Sequence, residues 1–568
     1  MAASKQESAV NFIANETVQK LRGGYYTPQD LATFLCEWVL EINPRRVLEP
    51  SCGDGVFFSA LRNAGAKASL AVTGFELDED EATKAAKRAK EAGLKASTVH
   101  ASDFLSWALE KTCLGLFPQD IMFDAVVGNP PFVRYQYLPE LFQAKAEQVF
   151  RELELPFTKH TNAWVPFILA SMRMLRPGGR LAMVVPAEII HVMHAQSLRS
   201  YLGRECRRMV LIDPKELWFD GTLQGAVLLL AEKRKDDCER AEGLGIYEVR
   251  GREFLRESPA RIFAAPQSIN GKTVAGKWTR ALLGKETREL IDELGSHPDV
   301  HRFVDVAGVD VGIVTGANKF FLVTDDVVSK HGLERWAHPM FGRSEHCPGI
   351  IYDTRQHVAN AKAGNPTNFL WFADGEPLKY KRVKSYIEAG EAEELHTRYK
   401  CRIRSPWFKV PSVYATEIGM LKRSHDLPRL ILNKVGAYTT DTAYRIRTLK
   451  GTSAEQLVGC FYNGLTALSA ELEGRHYGGG VLELVPSEIE KLILPLPTKG
   501  KIDLKKLDRQ IRSSMSAQDV LEANSRVVLG GLGMSLAKQD CVLEGWRRLR
   551  NRRHRTSSEE GAEATEAA

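Results

Sequence analysis

In the first part of the chain, short apolar runs alternate with stretches in which apolar residues return at every third or fourth position. Residues 47–49, 70–75, 98–101, 123–128, 181–185, 209–213 and 225–231 have the length and composition of strands. Between them, Leu31, Phe34, Leu35, Trp38 and Val39 fall on one face of a helix that Asn43-Pro44 closes. A second helix opens at Asn162-Ala163-Trp164 and runs to Leu175, with Arg176-Pro177-Gly178-Gly179-Arg180 as its turn. Strands and helices alternating as far as Glu232 predict a doubly wound α/β domain, a Rossmann-like sheet with helices on both faces. Residues 1–22 read as a polar leader and a helical stretch, followed by a turn at 23–30.

The ends of the strands carry the candidate chemistry. Pro50 breaks the first strand after Glu49, and Ser51-Cys52-Gly53-Asp54-Gly55 forms a tight loop before a helix starting near Val56. Strand, glycine loop and helix in this order let the backbone approach a nucleotide closely at a helix N-terminus. The spacing is not the full GxGxxG fingerprint and no phosphate-loop lysine follows, so a dinucleotide pyrophosphate is not the indicated ligand. Glu76 ends the next strand, where an acidic side chain can take ribose hydroxyls. Asp103-Phe104 offers a carboxylate for an adenine amino group with a ring beside it, although Asp103 also reads as a simple helix cap. Thr27 lies in the turn before the first helix, placed either to face a ligand or to cap that helix.

The run 123–128 ends in Asn129-Pro130-Pro131-Phe132. Neither proline can donate to a ladder, so the strand must stop there. The Asn129 side-chain oxygen and the Pro130 carbonyl can then accept from one amino group while Phe132 supplies a stacking face. That set suits the exocyclic nitrogen of a nucleobase; the plainer reading is a rigid strand-ending turn. Leu217-Trp218-Phe219-Asp220-Gly221 places two large aromatics near a strand start, with buried packing as their plainer role.

Composition narrows the class. At 568 residues the chain is too long for one core and should form two or three domains. No apolar run approaches the roughly 20 residues of a membrane span, and residues 1–6 do not resemble a signal peptide, so a cytoplasmic protein is expected. The nine cysteines are scattered without Cys-x-x-Cys pairs, which indicates neither a disulfide framework nor a metal site. The formal net charge of +6 is modest, so its placement matters more than its size.

From about Lys277 the alternation gives way to longer loops in which basic residues stand beside aromatics: Lys379-Tyr380-Lys381-Arg382, Arg402 and Arg404 near Trp407-Phe408-Lys409, and Lys422-Arg423. Such interleaving suits phosphate contacts with stacking or wedge residues, a solvated basic surface being the plainer alternative. Residues 312–319 read as a glycine-punctuated loop before a strand at 320–323, and Tyr477-Gly478-Gly479-Gly480 as a sharp turn before a strand at 481–485. Arg547, Arg548, Arg550, Arg552, Arg553 and Arg555 precede an acidic, alanine-rich end from Glu559. Together these read as a disordered tail adding nonspecific phosphate attraction.

Tyr26-Thr27-Pro28, Glu49 to Gly55, Glu76, Asp103-Phe104 and Asn129-Pro130-Pro131-Phe132, in that order and followed by a long C-terminal half, resemble the N6-adenine DNA methyltransferases of the gamma, TaqI-like group found in restriction-modification systems. The motifs cover the chain well as far as Glu232; residues 311–323 and 477–497 are similar more loosely. Phe132 departs from the tyrosine more usual in that group. The resemblance implies a class I methyltransferase sheet followed by a mixed α+β target-recognition domain. The expected division is a catalytic domain at 1–235, a connecting segment at 236–275, target recognition at 276–500 and a helical C-terminal segment with a basic tail at 501–568.

The same resemblance implies S-adenosylmethionine as methyl donor. Thr27, Glu49, Pro50, Ser51, Cys52, Gly53 and Gly55 would surround it, Glu76 would take its ribose hydroxyls, and Asp103 with Phe104 its adenine. It implies Asn129, Pro130, Pro131 and Phe132 as the catalytic set, acting without a metal on an adenine flipped out of duplex DNA between Phe132 and Phe219. Double-stranded DNA is the implied partner, with a cognate restriction endonuclease cutting the same site. A methyltransferase for RNA bases or a protein glutamine amide would use the same amino-group chemistry, generally in a shorter chain. A non-catalytic DNA-binding scaffold would have no need of the acidic and Asn-Pro-Pro-Phe positions. For a combined nuclease and methylase, no nuclease carboxylate-lysine cluster precedes Gly23.

Overall fold

Eight strands of the N-terminal part pair into one sheet: β1 (Arg46–Glu49), β2 (Ala71–Glu76), β3 (Thr98–Ala101), β4 (Phe123–Gly128), β5 (Leu175–Pro186), β6 (Cys206–Pro214), β7 (Ala226–Lys233) and β8 (Gly243–Val249). Their order is β3-β2-β1-β4-β5-β7-β6-β8. β7 runs antiparallel to β5 and β6, and the other neighbours are parallel. Strand order reverses at β1, which lies between β2 and β4, and ligands of open α/β sheets sit in the crevice beyond such a switch point. The computed structural model describes residues 26–112, 121–218, 225–373, 376–449, 451–500, 502–513 and 515–555. It forms two compact units, one running to Leu282 and taking in Arg555, the other Leu283–His554. The readings made for residues 1–25, for Phe219, Asp220 and Gly221, and for the end from Glu559 lie outside the described residues.

Helices cover both faces of the sheet. α1 (Gln29–Leu40) buries the whole stripe Leu31, Phe34, Leu35, Trp38 and Val39. With α2 (Val56–Asn63) and α3 (Glu79–Glu91) it closes over a core that includes Val47, Ala125, Val127, Val184, Val210 and Leu228. Side chains alternate along a strand, so Phe75 faces the other way, and Phe123, which precedes the register irregularity between Phe123 and Ala125, lies on that side too. There they meet Phe104 and Trp107 of α4 (Phe104–Thr112). α5 (Glu140–Glu152), α6 (Trp164–Met174) and α7 (Gln196–Glu205) complete the longer helices among the unit's described residues. At the start of β4, the Asp124 carboxylate accepts the backbone N–H groups of Arg45 (2.8 Å) and Arg46 (2.9 Å), which pins β1 against β4.

Three departures from the sequence reading have local causes. β5 begins at Leu175, because residues 176–180 continue the strand through a register shift between Phe123 and Ala125, with Gly178 at φ +73°. The predicted turn is therefore an irregular strand segment. β8 was hidden by the charged run Lys233–Asp237 and by its own half-exposed residues Ile246, Tyr247 and Glu248. At 318–323, residues Asn318–Phe321 form a helical turn and only Leu322–Val323 are strand. Phe320 packs among Phe321, Phe372, Tyr386 and Trp407 instead of facing a neighbouring strand.

The second unit holds a five-stranded sheet ordered Ala307–Val311, Ala443–Thr448, Ile418–Leu421, Leu430–Asn433, Ile351–Tyr352, and a four-stranded sheet ordered Leu322–Val323, Asn368–Leu370, Ala337–Phe341, Tyr438–Thr439. The strand after the triple glycine ends at Glu483. Helices Gly464–Glu473, Ala517–Gly531 and Leu536–Arg553 pack together near the C-terminus. Several arginines expected in a loose tail belong to the last of these helices and are engaged internally. Arg547 pairs with Glu522 and Glu544, and Arg550 with Asp426. Trp407 and Phe408 are buried, and Lys422 and Arg423 both reach Glu483.

The deepest of these pairs is Arg553 with Glu471, two fully buried side chains joined through Nε–Oε2 (3.0 Å) and Nη2–Oε1 (2.7 Å). His476 Nε2 lies 3.4 Å from the same carboxylate. Burial alone would raise the carboxyl pKa, but His476 and Arg553 outweigh it and hold Glu471 at about 2. A depressed pKa stabilises the fold above the ordinary value of 4.5 and loses that contribution as pH falls toward about 2. Arg553→Ala should cost about 3–5 kcal/mol of second-unit stability by leaving a buried charge alone. Urea unfolding of the full chain should show this deficit at neutral pH and a smaller one near pH 3; equal deficits at both would contradict the assignment.

Candidate active site

β1 stops at Glu49, and the loop after it folds onto the end of β2. The Cys52 N–H donates to the Phe75 carbonyl (2.8 Å), and the Gly55 N–H to the Cys52 carbonyl (2.7 Å). Gly55 sits at φ +85°, and a Cβ there would lie 2.7 Å from the Ala85 Cα of α3, so only glycine fits. The Gly53 N–H donates to Glu76 Oε2 (2.9 Å), while Glu76 Oε1 accepts from the Leu77 and Asp78 N–H groups (2.8 and 3.0 Å). A carboxylate has about four acceptor positions, so Glu76 keeps roughly one, on Oε2, for a further donor such as a hydroxyl.

Glu49 is fully buried, and neither of its carboxylate oxygens has a hydrogen-bond partner among the described residues. Burial first, then the nearby Asp54 and Glu76 charges, push its pKa well up, against the opposing pull of Arg88. An orphaned buried carboxylate is costly, and a ligand carrying an amino group would complete it. Thr27 is buried just before α1, and Cys52 is buried within the loop. This donor and acceptor set fits S-adenosylmethionine, which carries both an amino group and ribose hydroxyls.

Asp103 takes the capping role its sequence position allowed. It caps α4, Oδ1 accepting from the Leu105 N–H (3.3 Å) and Oδ2 from the Ser106 N–H (3.1 Å) and Oγ (2.6 Å), and Lys145 of α5 reaches Oδ2 at 2.8 Å. Burial would raise its pKa, but Lys145 and Ser106 bring it below the usual carboxylate value. Oδ1, with a single long bond, retains capacity for an amino group. The Phe104 ring is 1% exposed, enclosed by Phe75, Trp107 and Phe167, so it shapes the core behind the site rather than offering an open face.

At the end of β4, the Ser51 hydroxyl donates to the Asn129 carbonyl (3.0 Å), fastening the glycine loop to Asn129-Pro130-Pro131-Phe132. A Cβ on Gly128 would come within 3.3 Å of Pro50 Cδ, so the two strand ends lie side by side. Phe132 is half-buried and packs against the core beneath α1. Trp218 stacks on Phe254 at 5.6 Å and is taken up by packing.

One residue that the sequence reading missed joins this site. Glu188, just past β5, is half-buried, and its Oε1 accepts from Asn162 Nδ2 (2.9 Å) and Trp164 Nε1 (3.1 Å), with His194 Nε2 at 3.6 Å. Asn162 Oδ1 in turn accepts the Tyr135 N–H (3.4 Å), and the Ala163 N–H donates to the Val133 carbonyl (2.9 Å). The segment following Phe132 thus hangs on the start of α6, which hangs on Glu188. Burial would raise the Glu188 pKa, but His194, Asn162 and Trp164 keep the carboxyl below its ordinary value. An acid two residues after the Pro186 strand stop was the only signal in the sequence.

Residues 7–258 match the family model of the N-6 DNA Methylase, and residues 275–529 that of the Type II methyltransferase M.Eco57I C-terminal domain. The segment 7–258 is thus an N-6 DNA methylase domain. This methylase is 23% identical over 506 residues to the Type II methyltransferase M.AccI of Acinetobacter calcoaceticus, covering 86% of each chain. It is 22% identical over 489 residues to M.XamI of Xanthomonas campestris pv. amaranthicola, covering 83% of this chain and 85% of that one. Among solved structures, the type IIG restriction endonuclease BpuSI aligns with 94% of the methylase and 66% of its own chain, at 13% identity and a TM-score of 0.42.

Glu188→Ala in the methylase should lower kcat by about tenfold to 100-fold through loss of position at Phe132, while cofactor affinity stays within about twofold. Glu188→Gln, which keeps the Trp164 acceptor, should fall between. Calorimetric cofactor binding measured beside single-turnover rates decides: loss of both in parallel would mean general unfolding instead.

Proposed function

We propose that this methylase transfers a methyl group from S-adenosylmethionine to the N6 amino group of an adenine in a specific double-stranded DNA sequence, and so protects host DNA from a cognate restriction endonuclease. The observation that carries the reading is the juxtaposition at the switch point: the Ser51–Asn129 bond sets the glycine loop at the end of β1 beside Asn129-Pro130 at the end of β4. A bound S-adenosylmethionine would supply a methyl group already activated on a sulfonium. The remaining steps belong to the chain. Glu49 accepts from the cofactor's amino group, Oε2 of Glu76 from a ribose hydroxyl, and Oδ1 of Asp103 from the cofactor's adenine amino group. Thr27, Pro50, Cys52, Gly53 and Gly55 line that side through the loop backbone and its neighbours.

The target adenine leaves the duplex and stacks on Phe132, Phe219 taking the other face, so that its amino protons reach Asn129 Oδ1 and the Pro130 carbonyl. Pro131 keeps that carbonyl fixed by stiffening the turn. Two acceptors on one amino group favour a pyramidal nitrogen and free the lone pair that the ring otherwise delocalises. Phe132 provides stacking without the hydroxyl of a tyrosine. Catalysis in this scheme is positioning on a preorganised backbone.

The test is incubation of the full chain with unmodified duplex DNA and labelled S-adenosylmethionine, followed by nucleoside mass spectrometry. Label in N6-methyladenine is expected; label only in RNA or in protein glutamine would overturn the substrate assignment. Asn129→Ala should retain cofactor binding and lose transfer by about 100-fold or more, as removal of a fixed polar contact in a preorganised site does. Undiminished transfer by that variant would remove Asn129 from its role.

A further inference from the structure

The basic and aromatic residues that look alike in the sequence separate in the structure. Between Leu395 and Thr416 there is no Asp or Glu, while Arg398, Lys400, Arg402, Arg404 and Lys409 all fall there. Arg404, Trp407 and Phe408 turn inward. What remains outside is a short helix, Tyr399–Arg402, capped by Ile403. Tyr399 and Ile403 are each 63% exposed, four positions apart and therefore neighbours on one helical face. Arg398, Lys400 and Arg402 are exposed around them, with Lys400 and Arg402 each 5.5 Å from the Tyr399 ring centroid.

This helix is firmly mounted. Arg404 donates to the carbonyls of Val314 and Thr315 (both 2.7 Å), and the buried Cys401 sulfur lies 3.9 Å from the Thr315 carbonyl. Gly316 sits at φ +80°, and a Cβ there would be 2.8 Å from Lys400 Cβ, so the helix rests directly on a backbone that only glycine can provide. The glycine-punctuated loop at 312–319 is thus the platform for the patch. Two large apolar side chains held side by side in water, rimmed by cations on a rigid base, form an apolar patch of the kind that marks an interaction surface.

We infer that this patch is a contact surface for duplex DNA: Tyr399 and Ile403 press against or between bases in a groove while Arg398, Lys400 and Arg402 take the flanking phosphates. Apolar wedges rimmed by cations are how proteins grip and bend a duplex, and a stretch without carboxylates removes the repulsion that phosphates would otherwise meet. The inference rests on the reading of the chain as a DNA methyltransferase and specifies which part of the second unit touches the substrate.

The test uses the full chain and a duplex carrying the modified adenine position, with anisotropy titrations across a range of salt concentrations. Tyr399→Ala combined with Ile403→Ala should weaken binding by about tenfold and leave the salt slope unchanged. Lys400→Ala combined with Arg402→Ala should reduce the slope by about two, one for each phosphate that is no longer neutralised. Binding like wild type by both variants, with methylation by the wild type intact, overturns the patch and spares the functional reading. A wild type that neither binds nor methylates DNA overturns both. A change in oligomeric mass by the apolar variant without loss of DNA affinity assigns the surface to self-association and overturns the inference.

Discussion

The site depends on the parallel pairing of β1 with β4. Val47 lies opposite Ala125 and Leu48 opposite Val126, so Glu49 and Asn129 emerge at the same end of the sheet. A slip by one residue would carry Val47 to the opposite buried face, where its neighbours do not fit it, and separate the two motifs. Asp124 anchors one end of the pair through two backbone N–H groups, and the Ser51 hydroxyl anchors the other. The glycines of the loop follow from this: with β1, β2 and α3 so close, the chain can turn at Gly55 only without a side chain.

The strand-end carboxylates divide into two kinds. Glu76, Asp103 and Glu188 are each partly occupied by N–H or ammonium donors of the protein, which fixes their geometry before any ligand arrives. Sites arranged this way need little rearrangement during reaction. Glu49 is the opposite case, buried without a partner among the described residues. An unsatisfied buried polar group costs about 1–3 kcal/mol, so a ligand that supplies the missing donor stabilises the fold as it binds. In the proposed mechanism three carboxylates would be fixed in place before a ligand binds, and the fourth would couple ligand binding to stability.

The sequence made the sheet and its strand ends legible because prolines and glycines act locally. Asn129-Pro130-Pro131 must end a strand wherever it occurs, and the α1 stripe is buried whatever its partner. Interactions between distant residues were not legible. Lys145 reaches Asp103 from another helix, and Glu188 acts through Asn162 and Trp164; no spacing rule connects them. Phe104 follows a candidate ligand in sequence, yet its ring belongs to the core, because a residue in the first turn of α4 faces the sheet. In the second unit, basic residues beside aromatics gave one composition for two environments. Arg404 and Trp407 are structural while Lys400 and Tyr399 are exposed, and only tertiary packing decides between them.

In the proposed mechanism, a centre that would hold one amino group between an amide oxygen and a backbone carbonyl reads no DNA sequence, since every adenine presents the same group. Choice of site must come from contacts to groove edges or from the cost of deforming the duplex elsewhere. The arginines most conspicuous in the sequence contribute little to that, because Arg547, Arg550 and Arg553 are already paired with carboxylates. The charge available to DNA is accordingly local rather than global, and a formal excess of +6 says little about where it lies. A short segment free of carboxylates and fixed on a glycine platform concentrates positive charge at one point, and, if the inferred contact holds, the apolar pair there would sense how readily a base step opens. Sequence preference in such an arrangement comes as much from the stiffness of the DNA as from hydrogen bonds to its bases.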